Sequence, residues 1–279
     1  MNSPLLSVRD LRVSFPMRDG GRANVVDGVS FDLGRERLGI VGESGSGKSM
    51  TGRAILRLIR PPGRVEAARL AFEGEDLTTL PERRMRKLRG AGISMVMQDP
   101  RYSLNPVMTV GRQIAEAQRV HAPLGRAATR SRVIEMLRAV RIHDPERVAG
   151  LYPHEVSGGM GQRVMIAMML IPRPSLLIAD EPTSALDVSV QAQVLGLIDD
   201  LVKGQGMGLI LISHDLDLVA RYCDRILVMN SGRVVETCEA RLLHEARHPY
   251  TRGLLAAVPR MRETRAELPT LDRRVWEGT

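Results

Sequence analysis

The sequence of 279 residues is poor in cysteine, lysine and aromatic rings, and each shortage narrows what the chain can be. Its two cysteines, Cys223 and Cys238, lie apart with no His or Cys at metal spacing. That argues against a zinc or iron–sulfur site and against a secreted disulfide scaffold. Aromatics make up 3% while hydrophobic residues make up 43%, so the core must be aliphatic and rich in methionine. No apolar run approaches the ~20 residues of a membrane helix; the longest is Val164 to Ile171. No signal-peptide pattern is visible, since Leu5 and Leu6 are followed at once by Arg9 and Asp10. The expectation is a chain cytosolic by itself, reaching a membrane only through a partner. Lys48, Lys87 and Lys203 are the only lysines, so the net charge of +8 rests almost wholly on arginine. A basic balance suits nucleic acid, an anionic membrane face or nothing specific. The arginines are scattered, with clusters only at Arg83–Arg89 and Arg260–Arg274, which favours a solvated surface.

Ser7–Phe15 and Val25–Leu33 alternate apolar and polar residues and read as strands joined by a Gly-rich turn at Arg18–Arg22. Leu38–Val41 is a short buried strand. Met50–Ile59 carries a helical pattern stopped by Pro61, Pro62 and Gly63. Short strands with an Arg-rich helix between them follow up to Gln98, and residues 105–172 are mostly helical. Val133, Met136, Leu137 and Val140 mark one helix face. Leu176–Ala179 and Leu209–Ile212 read as buried parallel strands, and Arg225–Met229 with Arg233–Glu236 as strands joined by a tight turn. There is no repeat or low-complexity tract. The pattern is α/β with a helical insertion.

Three motifs carry chemistry. Between an apolar strand and a helix stand Gly42, Glu43, Ser44, Gly45, Ser46, Gly47, Lys48 and Ser49, with Met50 following. Glycines let backbone N–H groups close round phosphates at a helix N-terminus; Lys48 reaches the β and γ phosphates, and the Ser49 hydroxyl is a Mg²⁺ ligand. Downstream, the strand LLIADEP ends in two carboxylates. Asp180 would hold Mg²⁺, directly or through water, and Glu181 would polarise the water that attacks the γ-phosphate. Between the two lies VSGGMGQR, Val156 to Arg163, a Gly-rich helix start.

In that order the three motifs resemble an ATP-binding-cassette (ABC) ATPase. VSGGMGQR resembles the family signature, Gln98 the Q-loop, Ser184-Ala185-Leu186-Asp187 the D-loop and His214 the switch histidine. The resemblance implies a P-loop NTPase cassette over 5–245, with a RecA-like core, an antiparallel β subdomain and a helical signature subdomain at about 105–172. It implies that His214 contacts the γ-phosphate and that Gln98 senses Mg²⁺ and the transport partner. Ser157, Gly158, Gly159 and Met160 would complete the ATP site of an opposite subunit. Phe15 would stack on adenine as an aromatic does there in the family, with a core role equally open, and Val26 would pack beside the base.

QDPRYSLNP (98–106), SGGMGQRVMIAM (157–168), DEPTSALDVSVQAQVL (180–195) and HPYTRGLLAAVP (248–259) are similar to the ATPase subunits of peptide and nickel importers, over roughly residues 5–260. Residues 246–279 would be a short extension of that type. Its lack of a Cys-rich tail tilts the expectation towards nickel. Met160 is ordinary in this branch. Gly161 stands where Arg is frequent and suggests a loosely started signature helix, since Gly costs ~1 kcal/mol in a helix.

The resemblance thus implies an ATP-hydrolysing importer subunit using ATP and Mg²⁺, peripheral on the cytoplasmic face of a bacterial inner membrane. Its partners would be a second ATPase subunit, identical or related, two permeases docked at Gln98–Glu116 and, indirectly, an extracytoplasmic binding protein. Nucleic acid is not expected. The rival reading is a soluble ABC ATPase acting on nucleic acid or ribosomes; such proteins usually carry two cassettes, a long coiled coil or zinc modules, none of which is seen. A small-molecule kinase would leave VSGGMGQR without a purpose.

Overall fold

The computed structural model describes residues 3–97, 103–184 and 186–257. They form two compact units, divided after Thr78 and again after Ile210. The first takes the outer parts of the chain and the second its middle.

The first unit begins with β1 (Leu6–Pro16) and β2 (Arg22–Leu33), an antiparallel pair. Their alternation slips by one between Val8 and Leu11, both fully buried. A strand can bury residues three apart on one face only with an extra residue between them, and the bulge falls at Asp10, whose φ is 48°. β3 (Arg37–Val41) follows, then α1 (Lys48–Ile55). This helix ends four residues before the sequence pattern does. Arg57 turns left-handed (φ 53°) and donates to the Ala54 carbonyl, while the Leu58 N–H reaches Arg53. These bonds close the last turn well before the prolines. β4 (Arg64–Glu66), β5 (Arg69–Phe72) and β6 (Glu75–Asp76) complete a five-stranded antiparallel sheet over a core of Leu6, Val8, Leu11, Leu33 and Phe72.

The second unit holds α2 (Glu82–Ala91), β7 (Ile93–Val96), α3 (Val110–His121), α4 (Arg126–Ala139), α5 (Pro145–Gly150) and α6 (Gly158–Leu170). β8 (Leu176–Asp180) and α7 (Val188–Gln205) follow, and β8 lies parallel to β7. The face predicted for the middle helix is the one that α4 buries: Val133, Met136 and Leu137 are 3% exposed or less.

The chain returns to the first unit within β9 (Gly208–Ile212), then forms α8 (Leu216–Tyr222), β10 (Arg225–Asn230), β11 (Arg233–Glu239) and α9 (Pro249–Ala257). β10 is parallel to β3 and antiparallel to β11. Antiparallel and parallel sheets flanked by helices are the mixed α/β architecture that the sequence implies. Several arginine heads are tied to carboxylates, as in Arg9–Asp32, Arg37–Asp224, Arg225–Glu36 and Arg233–Asp27 of the first unit and Arg138–Glu146 and Arg141–Asp200 of the second.

Candidate functional site

The Gly-rich loop leaves β3 and enters α1. Gly42 (φ 150°) and Gly47 (φ 97°) take backbone conformations that favour glycine, and the neighbouring chain leaves no room for a side chain. A Cβ on Gly47 would lie 2.5 Å from the Val25 carbonyl, and one on Gly42 would strike the Met229 carbonyl. Two neighbouring strands therefore mould the loop from below. Inside it, Lys48 is 5% exposed and its ammonium donates to the carbonyls of Gly42 and Glu43, each at 2.7 Å, and to Ser46 Oγ at 3.4 Å. Ser44 and Gly45 are exposed, Ser49 and Met50 half-buried, and among the described residues nothing lies within 4 Å of a Cβ built on Gly45. A buried lysine wrapped in carbonyls beneath exposed backbone is a cradle for an anion.

Also in the first unit, His214 is exposed just beyond β9, between Ser213, whose N–H reaches the Ile40 carbonyl, and Asp215, which caps α8 at Leu218. Phe15 is half-buried near the end of β1, its ring edge against Gly63. Val26 departs from expectation. It is fully buried and offers a base no surface, because the register of β2 against β1 shifts between Val29 and Val26 and pairs Val26 with the buried Val13.

In the second unit, Asp180 is 3% exposed at the end of β8. Glu181, half-buried, has φ 47°, a strained conformation for a residue with a side chain. Its carbonyl accepts the Ser184 N–H and hydroxyl at 3.3 and 3.2 Å. Leu186 is half-buried and Asp187 is exposed ahead of α7. Ser157 caps α6, its hydroxyl accepting the Met160 N–H at 3.3 Å. The predicted loose start of this helix is thus not found. Ser157 and Gly158 are exposed and Gly159 and Met160 half-buried at an exposed helix N-terminus, which favours anions. Gln98 and Ala185 lie outside the described residues. Ser49 and Asp180 offer the hard oxygen donors that Mg²⁺ takes. No cluster of three or more His, Cys, Asp or Glu able to hold a metal occurs among the described residues.

Three residues escaped sequence reasoning. Gln162 is fully buried in α6 and donates to the Pro182 carbonyl, tying the signature helix to the turn after Glu181. Gln191 in α7 donates to the carbonyls of Thr183 and Leu186, at 3.2 and 3.1 Å, and braces the D-loop turn. Tyr250 in α9 receives the Glu43 N–H at 3.0 Å. Gln162 stands between Gly161 and Arg163, just ahead of the apolar run, and nothing in the pattern marked any of the three.

A family model described as "ABC transporter" matches residues 26–184, and one described as "Oligopeptide/dipeptide transporter, C-terminal region" matches residues 235–277. An oligopeptide transport ATP-binding protein of Bacillus subtilis is 48% identical over 266 residues, covering 94% of this chain and 74% of the relative. A dipeptide transport ATP-binding protein of Haemophilus influenzae is 49% identical over 269 residues, covering 96% and 81%. Among solved structures, a subunit of an ABC transporter complex from Clostridium perfringens aligns with TM-score 0.74 and 27% identity, over 88% of this chain and 92% of that one. A dimeric bacterial ABC transporter cassette aligns with TM-score 0.74 and 25% identity, over 85% and 99%.

Proposed function

This chain belongs to the ABC transporter family, whose ATPases couple ATP hydrolysis to transport, and on that premise we propose that it is the ATP-hydrolysing subunit of a peptide importer. The observation that carries the reading is the extent of the match: identity near one half over almost the whole chain to relatives named for oligopeptide and dipeptide transport. The C-terminal match adds to it, because it lies outside the general ABC transporter match. Neither relative is named for nickel, so the cargo reading moves from nickel to peptides.

In this reading ATP, bound with Mg²⁺, supplies the phosphoanhydride that is cleaved to ADP and phosphate. Lys48 and the backbone of 44–49 hold its phosphates, and the Ser49 hydroxyl and Asp180 carboxylate hold Mg²⁺ together with Gln98. Glu181 orients and polarises the attacking water, His214 contacts the γ-phosphate and Phe15 stacks on the base. Ser157, Gly158, Gly159 and Met160, with the D-loop residues Ser184, Ala185, Leu186 and Asp187, act in a pair of subunits that ATP draws together. Within the second unit, a groove of about 870 Å³ between α3, α4 and α5 is lined by Arg112, Arg119, Arg126 and Arg130 beside Leu124 and Ile134. It supports permease docking on this helical face. The working place is then the cytoplasmic face of a bacterial inner membrane, and no helix of the described residues is long and apolar enough to cross one.

The test is reconstitution with two permeases, a partner ATPase and a binding protein of the peptide-importer type. Labelled di- and oligopeptides should enter vesicles only with ATP and raise hydrolysis. Stimulation by nickel salts and not by peptides would overturn the cargo, and ATP hydrolysis stimulated by nucleic acid alone would overturn the importer.

A further inference from the structure

Tyr250 is the largest fully buried side chain among the described residues, 1% exposed at the start of α9. Its hydroxyl accepts the Glu43 N–H at 3.0 Å across 207 residues of sequence. That N–H shares one peptide plane with the Gly42 carbonyl, and the Gly42 carbonyl accepts Lys48 Nζ at 2.7 Å. A peptide plane turns only as a unit. Tyr250 and Lys48 therefore hold the 42–43 plane from opposite edges, and a change at one edge is felt at the other.

Tyr250 is itself well anchored. Its N–H donates to His248 Nδ1 at 3.2 Å, and the N–H groups of Arg247 and His248 reach the Glu236 carboxylate on β11, the first at 2.7 Å. Burial pushes the Glu236 carboxyl up, but the donors around it, these two N–H groups among them, leave it below the usual carboxylate range. Residues 247–250 are thus held to β11 through Arg247 and His248 and to the phosphate loop through Tyr250.

We propose that Tyr250 is a positioning residue for nucleotide binding: through the 42–43 peptide plane it fixes the Lys48 ammonium, so the C-terminal segment sets the affinity of the phosphate loop. The proposal rests on the reading that this loop binds ATP. It carries a reciprocal consequence, since two events that favour the same loop conformation favour each other: bound nucleotide should tighten the attachment of α9.

The experiment uses the full chain and its Tyr250→Phe variant, which keeps the ring and its packing and removes the hydroxyl. Equilibrium titration with ATP and with ADP should show affinity about five- to tenfold weaker in the variant, the effect of one N–H losing its partner. In the assembled importer, KM for ATP should rise by a similar factor with kcat within about twofold. Hydrogen exchange of the Glu43 amide should be faster in the variant, and nucleotide should slow exchange in α9 of the wild type but less in the variant. A lower melting temperature with unchanged nucleotide affinity would mark Tyr250 as purely structural and overturn the proposal alone. A wild-type chain that binds no ATP would overturn the loop reading and the proposal with it.

Discussion

Lys48 is the residue on which the loop closes, and its ammonium is already committed to loop carbonyls. Lys48→Ala should therefore lose both the phosphate's counter-charge and the bonds that shape the loop. Hydrogen bonds to charged groups contribute ~1.5–3 kcal/mol, so ATP affinity should fall at least about tenfold, measured by titration. Glu181→Gln should behave in the opposite way. The side chain keeps its size, so ATP binding persists, while turnover falls about a hundredfold or more because an amide cannot polarise water as a carboxylate does. Near-normal phosphate release by that variant would remove Glu181 from the chemistry. Lys48, Ser49, Asp180 and Glu181 could be nominated from the sequence because residue type and spacing define their motifs. Val26 was misjudged because plain alternation sets it opposite Val29, Phe31 and Leu33, and only a shift in register against β1 buries it with them. Tyr250 was illegible because its partner is backbone, which leaves no trace in the side chain of Glu43.

At the scale of the element, helix existence was read well and helix ends less so. α1 shows why: sequence pointed to the prolines, but a left-handed Arg57 ends the helix first, a position where glycine is the usual signal. α6 shows the same in reverse, for its Ser157 cap compensates the glycines behind it. Among the described residues, a Cβ on Gly161 would meet only Leu104, at an ordinary 3.9 Å. Gly161→Ala should thus stabilise the protein by about 1 kcal/mol, read from chemical denaturation; a loss instead would mean the helix needs that flexibility. α2 and α3 give an acid-sensitive contact, since the His121 ring lies against Gly90. Burial holds its imidazole below the usual value, so the folded state favours the neutral ring and the unfolded chain binds more protons. The contribution is complete above about pH 6.5 and is lost as pH falls through the lower, folded value. Melting curves between pH 7.5 and pH 5 should show a steeper acid loss for the wild type than for His121→Gln, and parallel losses would remove His121 as the cause.

At the scale of the whole molecule, the reading requires two subunits to share each ATP. Ser157→Arg should spare nucleotide binding by the isolated chain and block ATP-dependent pairing, because a bulky charged side chain would fill the space meant for the opposing γ-phosphate. The cap bond complicates that variant, since losing it costs roughly 1 kcal/mol of helix stability by itself. Ser157→Ala supplies the comparison: it loses the cap and the hydroxyl but adds no bulk, and should pair more weakly than the wild type yet better than Ser157→Arg. Light scattering with and without ATP distinguishes them, and normal pairing by Ser157→Arg would overturn the shared site. The division of the first unit between the two outer stretches of the chain has a further consequence, for biosynthesis. A ribosome working at about 5–20 residues per second needs roughly 10–40 s to travel the 207 residues from Glu43 to Tyr250. Throughout that interval the nascent phosphate loop lacks its clasp, and β3 lacks the neighbouring β10. A polypeptide terminated before Tyr250 therefore emerges with the loop unclasped, so translation leaves the loop unfinished in every chain not yet read past that residue.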